Sequence, residues 1–189
     1  MEQLKKKLEE IIDFDIKEEE ITWDEDSIKI LEESYKLKLP LDYVFYLQHY
    51  GNDYIREDYR FIPTTELPQK INQSQFEIDS IYGLNNDENN LEEKIKFYKD
   101  ILPDDLLPIA DLPGGDLVCM GKKNDNQNKI YIWFHEMDGE NVYLVVESFG
   151  EFVKYFKSIK VEKGKKENVK VKLSGKLNDF LSNASKKME

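Results

Sequence analysis

A chain of 189 residues, 40% of them hydrophobic and 35% charged, is long enough for one cored domain and an appended segment. Its formal charge of −12 argues against direct nucleic-acid binding, because phosphates would be repelled. No apolar run reaches the length of a membrane span and MEQLKKKLEE lacks a signal peptide's apolar stretch. Cys119 is the single cysteine, so no disulfide framework exists and a cytoplasmic protein is expected.

In chain order, Leu4, Leu8, Ile11 and Ile12 share one face of a first helix rich in Lys and Glu. Thr22-x-x-Glu25 reads as a capping box opening a second helix, with Ile28, Leu31 and Tyr35 turned inward. Pro40 suits the first turn of a third helix and Gly51 its C′ position. That helix is apolar nearly all round, which predicts a central place or an interface. Tyr59 to Ile62 reads as a short strand before Pro63, and Leu67 to Asn90 as a polar, irregular stretch with a loop at Asn85-Asn86-Asp87. Leu91 to Tyr98 is a short helix ended before Pro103.

The run from Leu106 to Phe156 is the most structured. Pro113-Gly114-Gly115 is a turn, because proline presets one dihedral and glycine accepts positive φ. Leu117 to Met120 follows as an apolar strand. Ile130 to His135 alternates, placing Ile130, Ile132 and Phe134 on one face and Tyr131, Trp133 and His135 on the other. Val142 to Val146 is a third strand, reached through a loop centred on Asp138-Gly139. Ser148-x-x-Glu151 is a capping box for a last helix carrying Phe149, Phe152, Val153 and Phe156. The expected fold class is α+β: N-terminal helices packed on an antiparallel sheet and closed by a C-terminal helix.

Beyond Lys157 the composition changes. Residues 157–189 hold 10 lysines against 4 acidic residues, a net of +6, which leaves −18 on residues 1–156. The expected division is a domain over 1–157 and a basic extension over 158–189. In the extension, Val161, Val169, Val171 and Leu173 alternate among lysines, and Leu177, Phe180 and Leu181 follow at helical spacing. The tail reads as packed on the acidic body and dispensable for folding, in preference to a strand of the main sheet.

The chemistry-bearing residues do not converge. Gly114-Gly115 followed by Gly121-Lys122 has the wrong spacing for a phosphate loop and no Ser or Thr after the lysine. His49 and His135 are the only histidines, and neither has a neighbouring Cys or His for a metal set, so no metal or other cofactor is expected. Cys119 with His135 is a conceivable dyad, but a lone cysteine in an apolar strand more often serves as a small hydrophobe. The acidic clusters Asp13-Asp15, Glu18 to Glu20, Asp24 to Asp26 and Asp104-Asp105 match no calcium loop and read as solvated surface. An acidic body attracts a basic partner and speeds encounter with it. The expected partner-binding residues are therefore aromatics and carboxylates: Trp23, Asp111, Asp116, Tyr131, Trp133, Glu136, Asp138 and Tyr143.

Three segments together resemble the SUKH superfamily, the Smi/Knr-like fold. Leu39-Pro40-Leu41-Asp42-Tyr43 runs to Gly51-Asn52; Pro108-Ile109 precedes Gly115-Asp116; and Tyr131 to Glu136 leads to Ser148 to Phe152. The resemblance covers about Ile21 to Lys157. It implies a bacterial immunity protein that binds and neutralises a cognate toxin domain, often a nuclease. The acidic body suits a basic toxin, the lack of a catalytic constellation speaks for a binding protein rather than an enzyme, and no membrane partner is expected. The alternatives are a SUKH-fold regulatory or adaptor module, and a small hydrolase using carboxylates or the Cys119–His135 pair.

Overall fold

The computed structural model describes residues 1–16, 25–51, 53–84 and 88–159. Helix α1 (Glu2–Ile11) buries Leu4, Leu8 and Ile11, one stripe at helical spacing. Helix α2 (Glu25–Tyr35) buries Ile28 and Leu31, and also Glu32. The Glu32 carboxylate accepts from the Leu39 N–H at 2.8 Å and from Lys38 Nζ at 2.6 Å, so its burial is compensated. Thr22, half of the expected capping box, lies outside the described residues.

Helix α3 (Leu41–His49) is central, with Tyr43, Tyr46 and Leu47 buried. Pro40 is its N-cap rather than a first-turn residue: its backbone is extended and its carbonyl accepts from Tyr43 and Val44. Gly51 follows Tyr50, the C-cap, at φ +43° and accounts for the expected helix stop. Asp42 in the first turn of α3 accepts from the Gly150 N–H at 2.7 Å, spanning 108 residues of sequence.

Strand β1 (Tyr59–Phe61) and helix α4 (Leu91–Phe97) precede a four-stranded antiparallel meander. Its strands are β2 (Leu106–Asp111), β3 (Leu117–Gly121), β4 (Ile130–Trp133) and β5 (Val142–Val146), hydrogen-bonded in that order. The chain then forms helix α5 (Phe149–Lys154), where Ser148 Oγ accepts from the Glu151 N–H and Glu151 reaches back to the Glu147 N–H. Strand β6 (Phe156–Ser158) closes the chain on β1, pairing Tyr59 with Ser158 and Phe61 with Phe156. Sequence reading did not anticipate β6, because three residues carry too little periodicity. The residues expected in the basic extension from Lys160 onward lie outside the described residues, as do Asn52 and the Asn85-Asn86-Asp87 loop.

Register fixes which side chains share a face. Ala110, Val118, Ile132 and Tyr143 form one row, on the face turned to the main core. Asp111, Leu117, Trp133 and Val142 form the end row of the opposite face, and Pro108, Cys119, Tyr131 and Leu144 the next. That face holds a smaller buried cluster of Leu102, Leu106, Leu117, Cys119 and Trp133. The main core is aromatic, with Tyr43 against Phe149 at 4.9 Å and Phe61 against Phe152 at 4.8 Å between ring centroids.

The irregular stretch before α4 contributes more than its composition suggests. Phe76, Ile78, Ile81, Tyr82 and Leu84 are all buried in the main core. Their backbone is satisfied piecewise: Phe76 exchanges both hydrogen bonds with Phe61, and the Tyr82 N–H donates to the Ile109 carbonyl at 2.7 Å. Tyr43 and Tyr46 donate their hydroxyls to the carbonyls of Tyr82 and Ile81, at 3.0 and 2.9 Å. Both edges of the meander are covered in this way. Tyr82 lies along β2, and Thr64 and Thr65 bond the Val145 and Leu144 carbonyls of β5.

Gly115 has φ +96° and a side chain there would meet the His135 ring at 3.2 Å, whereas Gly114 at φ +90° faces open space. Gly115→Val is expected to cost about 1–3 kcal/mol in urea denaturation, and Gly114→Val measurably less. Equal midpoints for the two variants would contradict this account of the turn.

Burial drives the Tyr43 phenol far above its ordinary pKa, and Tyr82 likewise, the latter helped by the Asp111 carboxylate. A raised folded-state pKa gives stability that is complete below the unfolded value, about 10 for tyrosine, and is lost as pH rises beyond it. Lys122, lowered by burial, acts in the opposite sense over the same range. The Tyr82 hydroxyl is buried, and the Asp111 carboxylate acts on it from outside good hydrogen-bond geometry. Tyr82→Phe is therefore expected to be neutral or stabilising at pH 7 and to flatten the fall in stability above about pH 10. Denaturation curves between neutral and alkaline pH test both statements.

Candidate functional site

The meander's turns bring the predicted carboxylates to one end of the sheet. Asp111 ends β2, Asp116 closes the Pro113-Gly114-Gly115 turn into β3, and Glu136 and Asp138 lie in the loop from β4 to β5. This loop begins with Phe134, whose N–H donates to the Asn141 carbonyl at 2.9 Å. The two turns are tied together. Asp116 Oδ1 accepts from the His135 N–H at 3.0 Å and lies 3.0 Å from His135 Nδ1. His135 Nε2 lies 3.7 Å from Glu136 Oε1, in a pair whose carboxylate partner is 85% exposed.

Asp111 is engaged differently. Lys94 Nζ on α4 donates to its Oδ2 at 2.6 Å and sits 4.8 Å from the centroid of the Tyr82 ring. Beside this pair is a cavity of about 410 Å³ whose wall includes Asp79, Glu88 and Asp111. Glu140 extends the exposed acidic loop, and its carbonyl accepts from Tyr143 Oη at 2.7 Å and from Lys70 Nζ at 3.3 Å. Asp79, Glu88 and Glu140 were not singled out by sequence reading. They reach this end through irregular backbone, which gives no periodic signal.

The predicted aromatics separate. Trp133 belongs to the same end row as Asp111, but at 8% exposure it is buried, 6.2 Å from the His135 ring. Tyr131 sits one row further along the same face, half-buried, and burial raises its phenol pKa. Tyr143 lies on the other face, packed against the main core and Phe134. Trp23 lies outside the described residues. The candidate site is thus Asp111, Asp116, Glu136 and Asp138, at the end of the sheet where Trp133 lies in the last row.

Chemistry of the nucleophilic kind finds no support in this arrangement. Cys119 is wholly buried and its thiol is pushed far up by desolvation, so the thiolate is disfavoured. His135 turns Nδ1 to Asp116. Among the described residues no group of three or more His, Cys, Asp or Glu is placed to hold a metal ion. No helix among them is long and apolar enough to cross a membrane.

The chain is 33% identical over 141 residues to the SPbeta prophage-derived uncharacterized protein YokK of Bacillus subtilis (strain 168), an alignment covering 68% of this chain and 71% of the relative. Residues 22–155 match the SMI1 / KNR4 family (SUKH-1), a span that takes in α2 through α5 and the whole meander. The chain belongs to the SMI1 / KNR4 family (SUKH-1).

Proposed function

We propose that this protein is an immunity protein, which binds a basic toxin domain through the acidic end of its sheet and neutralises it by contact. The observation that carries the reading is the gathering of Asp116, Glu136 and Asp138 on two tied turns. Membership of the SUKH-1 family supports the immunity role, and similarity to a prophage-derived protein fits a gene carried with a competitive locus. The −18 charge of residues 1–156 favours a cationic partner, such as a nuclease domain, and rapid capture of it. The reading is of an inhibitor that works by occlusion in the cell that makes the toxin.

The test begins with the basic C-terminal domain of a large toxin encoded next to this gene. Co-expression is expected to protect cells from that domain. In vitro, binding is expected in the nanomolar range, with an association rate that falls by about tenfold or more between low and moderate salt. Glu136→Lys combined with Asp138→Lys is expected to slow association while leaving the melting temperature unchanged, since both side chains are exposed. Association rates that ignore both salt and the charge reversals would remove this binding face.

A further inference from the structure

At the opposite end of the sheet is a cleft whose charged lining is mostly cationic. Leu106 pairs with Gly121 at the far end of β2 and β3 from Asp111 and Leu117. There the end of α2, helix α4 and the start of β2 enclose a cleft of about 400 Å³. Four lysines, Lys36, Lys96, Lys99 and Lys122, line it against one carboxylate, Asp104. On a body of −18 this is a local inversion of sign.

Helix geometry explains part of it. Lys36 and Lys99 follow the C-terminal ends of α2 and α4, where cations complement the helix dipole. Lys96 is paired with Glu92 and Glu93 at 3.3 and 2.9 Å. Lys122 has neither explanation. It follows β3, its side chain is half-buried, and among the described residues neither it nor Lys36 or Lys99 takes part in an ion pair. Burial holds the Lys122 ammonium below the usual lysine range, with Lys123 adding to the effect and Asp104 and Asp105 opposing it. A half-buried cation with no carboxylate in direct contact opposes folding, and a bound anion would relieve it.

The rest of the lining is apolar and aromatic, including Tyr98, Ile95, Leu102 and Leu106. Near it on the chain, Phe97 is 69% and Ile101 53% exposed. A volume near 400 Å³ falls in the range of small-molecule sites, which combine apolar walls with a few placed charges. We propose that this cleft binds a small amphipathic anion, with a phosphate or carboxylate head at the Lys99 and Lys122 ammonium groups and a planar apolar body against Tyr98 and Leu102. The proposal does not depend on the toxin-binding reading, which concerns the other end of the sheet.

The experiment titrates the full-length chain, followed by amide NMR, with two amphipathic probes, adenosine monophosphate and indole-3-acetate. Their parts are titrated alone: inorganic phosphate and adenosine for the first, acetate and indole for the second. At least one amphipathic probe is expected to bind with Kd below about 1 mM and at least about tenfold tighter than either part. Which of the two binds distinguishes a phosphate from a carboxylate head. Lys122→Gln is expected to weaken that binding at least about tenfold without lowering the melting temperature, whereas Lys5→Gln on the exposed face of α1 leaves it unchanged. Neither amphipathic probe binding better than its parts would overturn the proposal, as would equal binding by the Lys122 and Lys5 variants.

Discussion

Two buried phenol hydroxyls hold this fold together. Tyr43 and Tyr46, one turn apart on α3, reach out of the helix to the consecutive carbonyls of Tyr82 and Ile81. The segment they hold has no ladder of its own, and buried backbone without hydrogen-bond partners is costly. With those carbonyls satisfied, Ile81 and Tyr82 can sit in the core. The Tyr82 N–H can then cover the edge of β2, and Lys94 can lie over the Tyr82 ring while holding Asp111. The acidic end of the sheet is thus positioned from α3, two layers away.

The charges are arranged against this rigid frame rather than within it. At one end Asp116 serves the structure and the surface at once: one oxygen fixes the His135 turn, and the turn displays Glu136 and Asp138. At the other, lysines crowd a cleft floored by the small cluster around Leu102 and Leu106. A charged partner approaching either end would meet a different local sign of charge.

Much of this was legible in the sequence, for identifiable reasons. The alternation of Ile130 to Phe134 gave both faces of β4, because period-two patterning survives wherever a strand divides two apolar layers. The Pro113 turn, the Ser148 cap and Gly51 at the end of α3 were equally readable, since each rests on local backbone chemistry. Tyr143 was harder. Its pairing with Ile132 turns it to the core, and β5 read alone gives no inward face because both of its faces are apolar. The segment from Phe76 to Leu84 was read as polar loop because its apolar residues have no period. Its place in the core depends on hydroxyls donated from 35 and 39 residues away. For the candidate site, the four carboxylates were named from sequence and the structure places them at one end of the sheet, while their lysine and cavity-wall neighbours came only with the tertiary structure.

The pairing of β1 with β6 has a bearing on how the protein comes into being. Tyr59 finds its partner only when Ser158 is available, and Asp42 waits for Gly150. Contacts of such sequence separation form late, since a long loop must be closed before they contribute. During synthesis the N-terminal helices therefore emerge with their aromatic faces uncovered, and the core is sealed only after nearly all of the SUKH-1 region has left the ribosome. A partly made chain has no assembled acidic end, so any capacity to bind a partner there would arise in one step near the completion of the domain.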